Sequence, residues 1–185
     1  MLPMRIQVNL AAAAILLLTT LTACTSSEKE KAELDIMRAG EFEATEQLPE
    51  FARLEMAGDT LRTEHLKGKV TIINFWATWC GPCIIEIPEF VALKEEWKDR
   101  PFEIVGVSLD DTGFDVVIPF AEDLHLNYPQ ILDIDGSFGE QLGGVYALPT
   151  TFVVTGEGQV LAGHLGVFPL EEWRDDLDEM IAGLE

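Results

Sequence analysis

The chain has 185 residues, 48% of them hydrophobic, which is enough for one domain with a real core and some chain to spare. Asp and Glu outnumber Lys and Arg 33 to 12, and the net charge of −21 argues against nucleic acid as a partner and against attachment to anionic membranes through a basic patch. Three cysteines, Cys24, Cys80 and Cys83, are too few for a multi-bridge secreted scaffold. The acidity fits either a salty habitat or a merely soluble surface.

Residues 1–23 carry one charge, Arg5, then an apolar run from Leu10 to Leu18, then Leu21-Thr22-Ala23 directly before Cys24. This is the pattern of an export signal, and its apolar part is well short of the roughly 20 residues that span a bilayer. Leu21-Thr22-Ala23-Cys24 resembles the lipobox of bacterial lipoproteins. That resemblance implies lipid on Cys24 as the first mature residue, and so a lipid bilayer tether in the cell envelope, facing the periplasm or the outer side of the cytoplasmic membrane. Ordinary cleavage leaving a free thiol, or an uncleaved anchor, is the alternative. Residues 24–44 are polar and acidic without a sustained apolar face and read as a flexible spacer.

The domain is expected over 45–185. Phe51 to Met56 alternates, Gly58-Asp59 can turn and Leu61 continues, which predicts an N-terminal β-hairpin followed by a short helical segment from Thr63 to Leu66. Val70 to Trp76 is apolar enough to be covered on both faces, as a central parallel strand is. The helix after it, from the 80s to about Lys98, carries Ile84, Ile85, Ile87, Phe90, Val91, Leu93 and Trp97 and should bend near Pro88. Phe102 to Leu109 reads as a second buried strand, Phe114 to Leu124 as a helix interrupted by Pro119, and Tyr128 to Ile134 as a further strand. Thr151 to Val154 and Val160 to Leu165, joined through Gly156-Glu157-Gly158, predict a hairpin adding antiparallel edge strands, and Pro169 opens a closing helix. Strands alternating with helices imply an α/β fold, a central mixed β-sheet flanked by helices.

Between the first strand and its helix stands Trp79-Cys80-Gly81-Pro82-Cys83. Cys80 and Cys83 are one helical turn apart at a helix start, so their sulfurs share a face within bonding reach: a dithiol/disulfide switch. Asn74-Phe75-Trp76-Ala77-Thr78-Trp79-Cys80-Gly81-Pro82-Cys83, with Glu86 and Pro88 after it and Leu148-Pro149-Thr150 later, resembles the thioredoxin superfamily, and within it the envelope-facing TlpA/ResA-like reductases. The resemblance implies a thioredoxin-like fold, a protein disulfide reductase needing no cofactor and no metal, and a cis Pro149. It also implies a substrate surface of Trp79, Gly81, Pro82, Leu148 and Pro149, with the Leu148 backbone left free for an extended client. The clients would be oxidised envelope proteins or apocytochrome c, and the dithiol would be recharged by a membrane electron donor. Gly81-Pro82 matches the reducing end of a motif class whose potentials run from about −270 to about −120 mV.

Cys80, at the helix N-terminus, is the expected nucleophile, and Cys83 the thiol that resolves the mixed disulfide. Lowering a thiol pKa from about 8.5 to about 7 takes about 2 kcal/mol, more than the about 0.3–1 a helix terminus usually supplies, so neighbouring amides and the Cys83 thiol must add to it. Glu86 lies on the flank of Cys83 and Phe90. It is either a partly exposed acid held by a cation, or the proton acceptor for Cys83, the role the resemblance supports and one left vacant by Asn74, where cytoplasmic thioredoxins carry a buried aspartate. Trp76 is expected inside. Three other readings compete: copper held by the cysteines with His65, His125 or His164, whose isolation gives no recognisable ligand set; a peroxidase, whose Pro-x-x-x-Thr-x-x-Cys pattern is missing; and a purely structural disulfide.

Overall fold

The computed structural model describes residues 41–42 and 47–185; the export-type segment and Cys24 lie outside the described residues. Six strands form one sheet in the order β1-β8-β7-β4-β5-β6, with β1 Glu41–Phe42, β4 Val70–Trp76, β5 Phe102–Ser108, β6 Gln130–Leu132, β7 Thr150–Val154 and β8 Val160–Leu165. β4, β5 and β6 run parallel, while β7 lies antiparallel to β4 and to β8. All seven residues of β4 are buried, which is why its sequence shows no alternation. The separate hairpin pairs β2 Ala52–Leu54 with β3 Thr60–Arg62, and a 3-10 turn over Thr63–Leu66 follows it, both as expected.

The helices are α1 Gly81–Glu96, α2 Phe114–Asp123, α3 Ser137–Gln141 and α4 Leu170–Ala182. On one face of the sheet, Ile73, Phe75, Val105, Val107 and Phe152 pack on Phe138 of α3. On the other, Ile72, Ile104 and Val153 pack on Phe90 and Leu93 of α1 and on Leu177 and Ile181 of α4. A third cluster, Trp76, Cys80, Cys83, Ile87 and Val117, packs α1 and α2 around the end of β4. Among the described residues no helix is long and apolar enough to cross a membrane.

Four expectations are corrected. Pro119 does not interrupt α2; it stands inside the helix, as Pro88 stands inside α1 as expected, and each proline withdraws one helical bond, from the carbonyls of Asp115 and Ile84, but all four residues are exposed, so no buried group is orphaned. The second hairpin adds antiparallel strands beside β4, but β8 is not the sheet edge, because Glu41–Phe42 of the segment read as spacer pair with His164 and Gly163 of β8. The strand expected over Tyr128 to Ile134 contracts to Gln130–Leu132. The short helix α3 was not foreseen; the buried Asp133 carboxylate accepts from the Phe138 and Gly139 amides at its start and pairs with Arg53 of the hairpin at 3.0 Å.

Candidate active site

β4 ends at Trp76, whose 1% exposure and Nε1 bond to Gln130 Oε1 at 3.0 Å place it inside, as expected. The next three residues turn the chain so that Cys80 caps α1, its sulfur accepting from the Cys83 amide at 3.3 Å, with Pro82 in the first turn where its missing N–H costs no helical bond. Cys80 and Cys83 form a disulfide with Cα atoms 5.3 Å apart. Cys83 is wholly buried and Cys80 is 5% exposed, so of the two cysteines only Cys80 borders solvent, and narrowly.

The border is a groove of about 540 Å³ lined by Trp79, Cys80, Gly81, Pro82, Leu109, Val145, Tyr146, Ala147 and Leu148. Leu148-Pro149 is cis. The groove thus brings together every residue expected at the substrate surface except Pro149, which is buried behind it. Two aromatic rings stand out from the surface here, Trp79 at 71% and Tyr146 at 81% exposure. Tyr146 lies over the Gly143-Gly144 turn, its hydroxyl donating to the Gly143 carbonyl at 3.3 Å.

Glu86 is 1% exposed and held by two donors: Asn74 Nδ2 to Oε1 at 2.7 Å, and the Phe168 amide to Oε2 at 2.9 Å. Neither is a cation, so the reading of a partly exposed acid held by a positive charge is corrected. Burial pushes the Glu86 pKa up from 4.5 to about 7, the Phe168 amide and Asn74 opposing the rise and Glu89 adding to it. Asn74 Nδ2 also reaches Thr151 Oγ1 at 3.0 Å. Cys83 and Glu86 stand at i and i+3 on the buried side of α1, where such side chains are neighbours.

Asp110 was missed in the sequence. It is 3% exposed and its carboxylate accepts from the Thr78 amide at 3.0 Å, the Thr78 hydroxyl at 2.7 Å and the Ser108 hydroxyl at 2.8 Å, fixing the turn two residues before Cys80. Its signal is positional: an acid just past the carboxyl end of a parallel strand, where α/β folds gather their sites. His65 and His125 are exposed and His164 is buried in β8; among the described residues no three His, Cys, Asp or Glu side chains gather as a metal would require. What the arrangement can do is exchange disulfides: a cysteine pair at a helix start, one sulfur on a groove and the other shielded beside a buried carboxyl.

Comparison with known proteins agrees with that chemistry. The model of a family described as Redoxin matches residues 43–181. A thiol-disulfide oxidoreductase ResA from Oceanobacillus iheyensis is 32% identical over 88% of this chain and 84% of its own length. Among solved structures, a thiol:disulfide interchange protein of the thioredoxin family from Chlorobium tepidum shares 26% identity at a TM-score of 0.66, covering 76% of this chain and 99% of that one. A secreted thiol-disulfide isomerase from Corynebacterium glutamicum shares 25% at a TM-score of 0.66, covering 78% and 92%.

Proposed function

The chain belongs to the Redoxin family and is a thiol-disulfide oxidoreductase, and from that premise we propose that it reduces protein disulfides outside the cytoplasm through Cys80 and Cys83, with Glu86 taking up the proton. The observation that carries the reading is the asymmetry of the pair: Cys80 on the groove, Cys83 shielded beside a buried carboxyl.

The Cys80 thiolate attacks a client disulfide, forming the mixed disulfide and expelling one client thiolate. Cys83 then passes its proton to Glu86, and its thiolate attacks the Cys80 sulfur. The second client thiolate leaves, and the protein closes the Cys80–Cys83 disulfide with two electrons delivered to the client. A Glu86 pKa near 7 suits a base that must accept a proton and give it up again at neutral pH. The client lies extended between Trp79 and Tyr146 and pairs with the Leu148 backbone, which among the described residues takes no backbone bond from the sheet.

The export-type residues 1–23 and Leu21-Thr22-Ala23-Cys24 support an envelope location with lipid on Cys24, and the TlpA/ResA resemblance supports oxidised envelope proteins or apocytochrome c as clients and a membrane donor that restores the dithiol. Equilibration with glutathione buffers tests the direction of electron flow. The expected potential is close to the about −270 mV of thioredoxin, and one close to the about −120 mV of strong oxidants would make the protein an oxidant instead.

A further inference from the structure

Two buried polar routes converge on Glu86, and only one runs through a residue already given a part. The first is Asn74, which bridges Glu86 Oε1 and Thr151 Oγ1. The second is a single peptide group. The Phe168 amide donates to Glu86 Oε2 at 2.9 Å, while the carbonyl on the other side of the same peptide, that of Val167, lies 3.1 Å from His164 Nε2. A carbonyl only accepts, so this bond puts the proton on Nε2, and in a neutral ring Nδ1 is then bare; Nδ1 is indeed buried without a partner among the described residues.

The peptide is planar and trans-directed, its C=O and N–H pointing to opposite sides, so whatever fixes the carbonyl also aims the amide. His164 is well placed to do so. It is 8% exposed on β8, in register with Thr151, which is in register with Asn74, so three polar side chains form one row across β8, β7 and β4. The Phe168 ring is packed edge-on against the His164 ring at 5.9 Å and, tilted, against Phe90 of α1 at 6.2 Å. One residue before this peptide, the Gly166 amide donates to the Pro149 carbonyl at 2.9 Å, so the loop from Gly166 to Phe168 ties the turn beside the dithiol to the carboxyl behind it.

We propose that His164 is a positioning residue for Glu86: by holding the Val167 carbonyl it aims the Phe168 amide at the carboxylate and so favours its ionised form. The inference rests on Glu86 being the proton acceptor for Cys83, but concerns what sets its readiness. The other ionisable groups around Glu86 are Cys83 and Glu89 on its own helix and the buried Tyr128 ahead of β6, whose hydroxyl pKa is raised by burial first and by the Glu86 charge second. None of these is a cation, so the amide and Asn74 are what stabilise the anion.

The test uses two isosteres in the full chain with the disulfide intact. A Gln amide at position 164 reaches where Nε2 stands, and an Asn amide reaches only as far as Nδ1. His164→Gln should keep the midpoint of the Glu86 carboxyl, read by carbon-13 NMR, whereas His164→Asn should raise it by about one unit, a tenfold change in the protonation equilibrium. With the dithiol reduced, His164→Asn should then resolve mixed disulfides about fivefold more slowly at pH 7, as the ionised fraction falls from half to about a tenth. An unchanged midpoint in His164→Asn, or equal shifts in both variants, overturns the proposal. Should neither variant fold, the unsubstituted protein decides: the Phe168 amide and His164 Nε2 should both follow the Glu86 midpoint, and a ring nitrogen indifferent to it overturns the proposal. The carboxyl titration involves no client, so it stands apart from whether Glu86 takes part in resolution, which Glu86→Gln kinetics decide.

Discussion

At the scale of single residues, two buried acids with opposite surroundings do different work. Asp110 takes three hydrogen bonds and orders the turn before Cys80, so its work is structural. Asp110→Ala leaves the Thr78 amide and two hydroxyls without their acceptor and should cost about 3 kcal/mol in denaturant unfolding, with slower attack by Cys80. Glu86 takes two bonds, and its raised pKa lets it exchange a proton near neutral pH. Because only the ionised form accepts a proton, resolution of the mixed disulfide should accelerate as pH rises through about 7 and level off above it. Glu86→Gln should flatten that profile and slow resolution by about 10²-fold while sparing the first attack, which single-turnover kinetics separate. Glu86 was legible as an apolar-face carboxylate one turn after Cys83. Asp110 and His164 were not, because their partners are the Thr78 turn and the Val167 carbonyl, brought together only by the sheet.

At the scale of elements, periodicity found the long pieces and lost the short ones. β4, β5, α1 and the β7–β8 hairpin each declare themselves by an apolar run or a glycine turn. The order in which the strands assemble does not, which is why the hairpin was expected to form the edge and β1 lies outside it instead. α3 has five residues and owes its place to the Asp133 carboxylate and to Phe138 in the core, neither of which has a local signature. Gly106 of β5 shows how tightly the site end is packed: a Cβ there would lie 2.1 Å from Gln130 Oε1, the acceptor that holds Trp76 Nε1. Gly106→Ala should displace Gln130, cost about 2 kcal/mol and shift the fluorescence of the buried Trp76. In the groove wall, Gly144 has φ +103° and a Cβ there would lie 2.7 Å from Tyr146. Gly144→Ala should therefore swing Tyr146 away and weaken client turnover while leaving the small-molecule reactivity of Cys80 intact, a difference visible by comparing a protein disulfide with glutathione.

At the scale of the whole molecule, stability carries the mark of Glu86. Its folded-state pKa of about 7 lies above the unfolded 4.5, so the native state binds more protons between those values and stability falls as pH rises through that window, by about 3 kcal/mol in all, being fully present only below about pH 4.5. Chemical denaturation of the oxidised protein at pH 4.5 and 8 should show this decline, and Glu86→Gln should remove it. With a net charge of −21 the chain also repels itself, so raising salt from 0.1 to 1 M, which shortens the screening length from about 10 to about 3 Å, should raise the Tm; a flat response would mean the acids are spaced too widely to interact.

The whole account turns on Cys80 being the sulfur that meets the client, and trapping addresses it most directly. Cys83→Ser, mixed with a protein disulfide and quenched with acid, should accumulate a mixed disulfide that mass spectrometry maps to Cys80, while Cys80→Ser under the same conditions should form none. An adduct on Cys83 in Cys80→Ser at comparable yield, or no adduct on Cys80 at all, would contradict it.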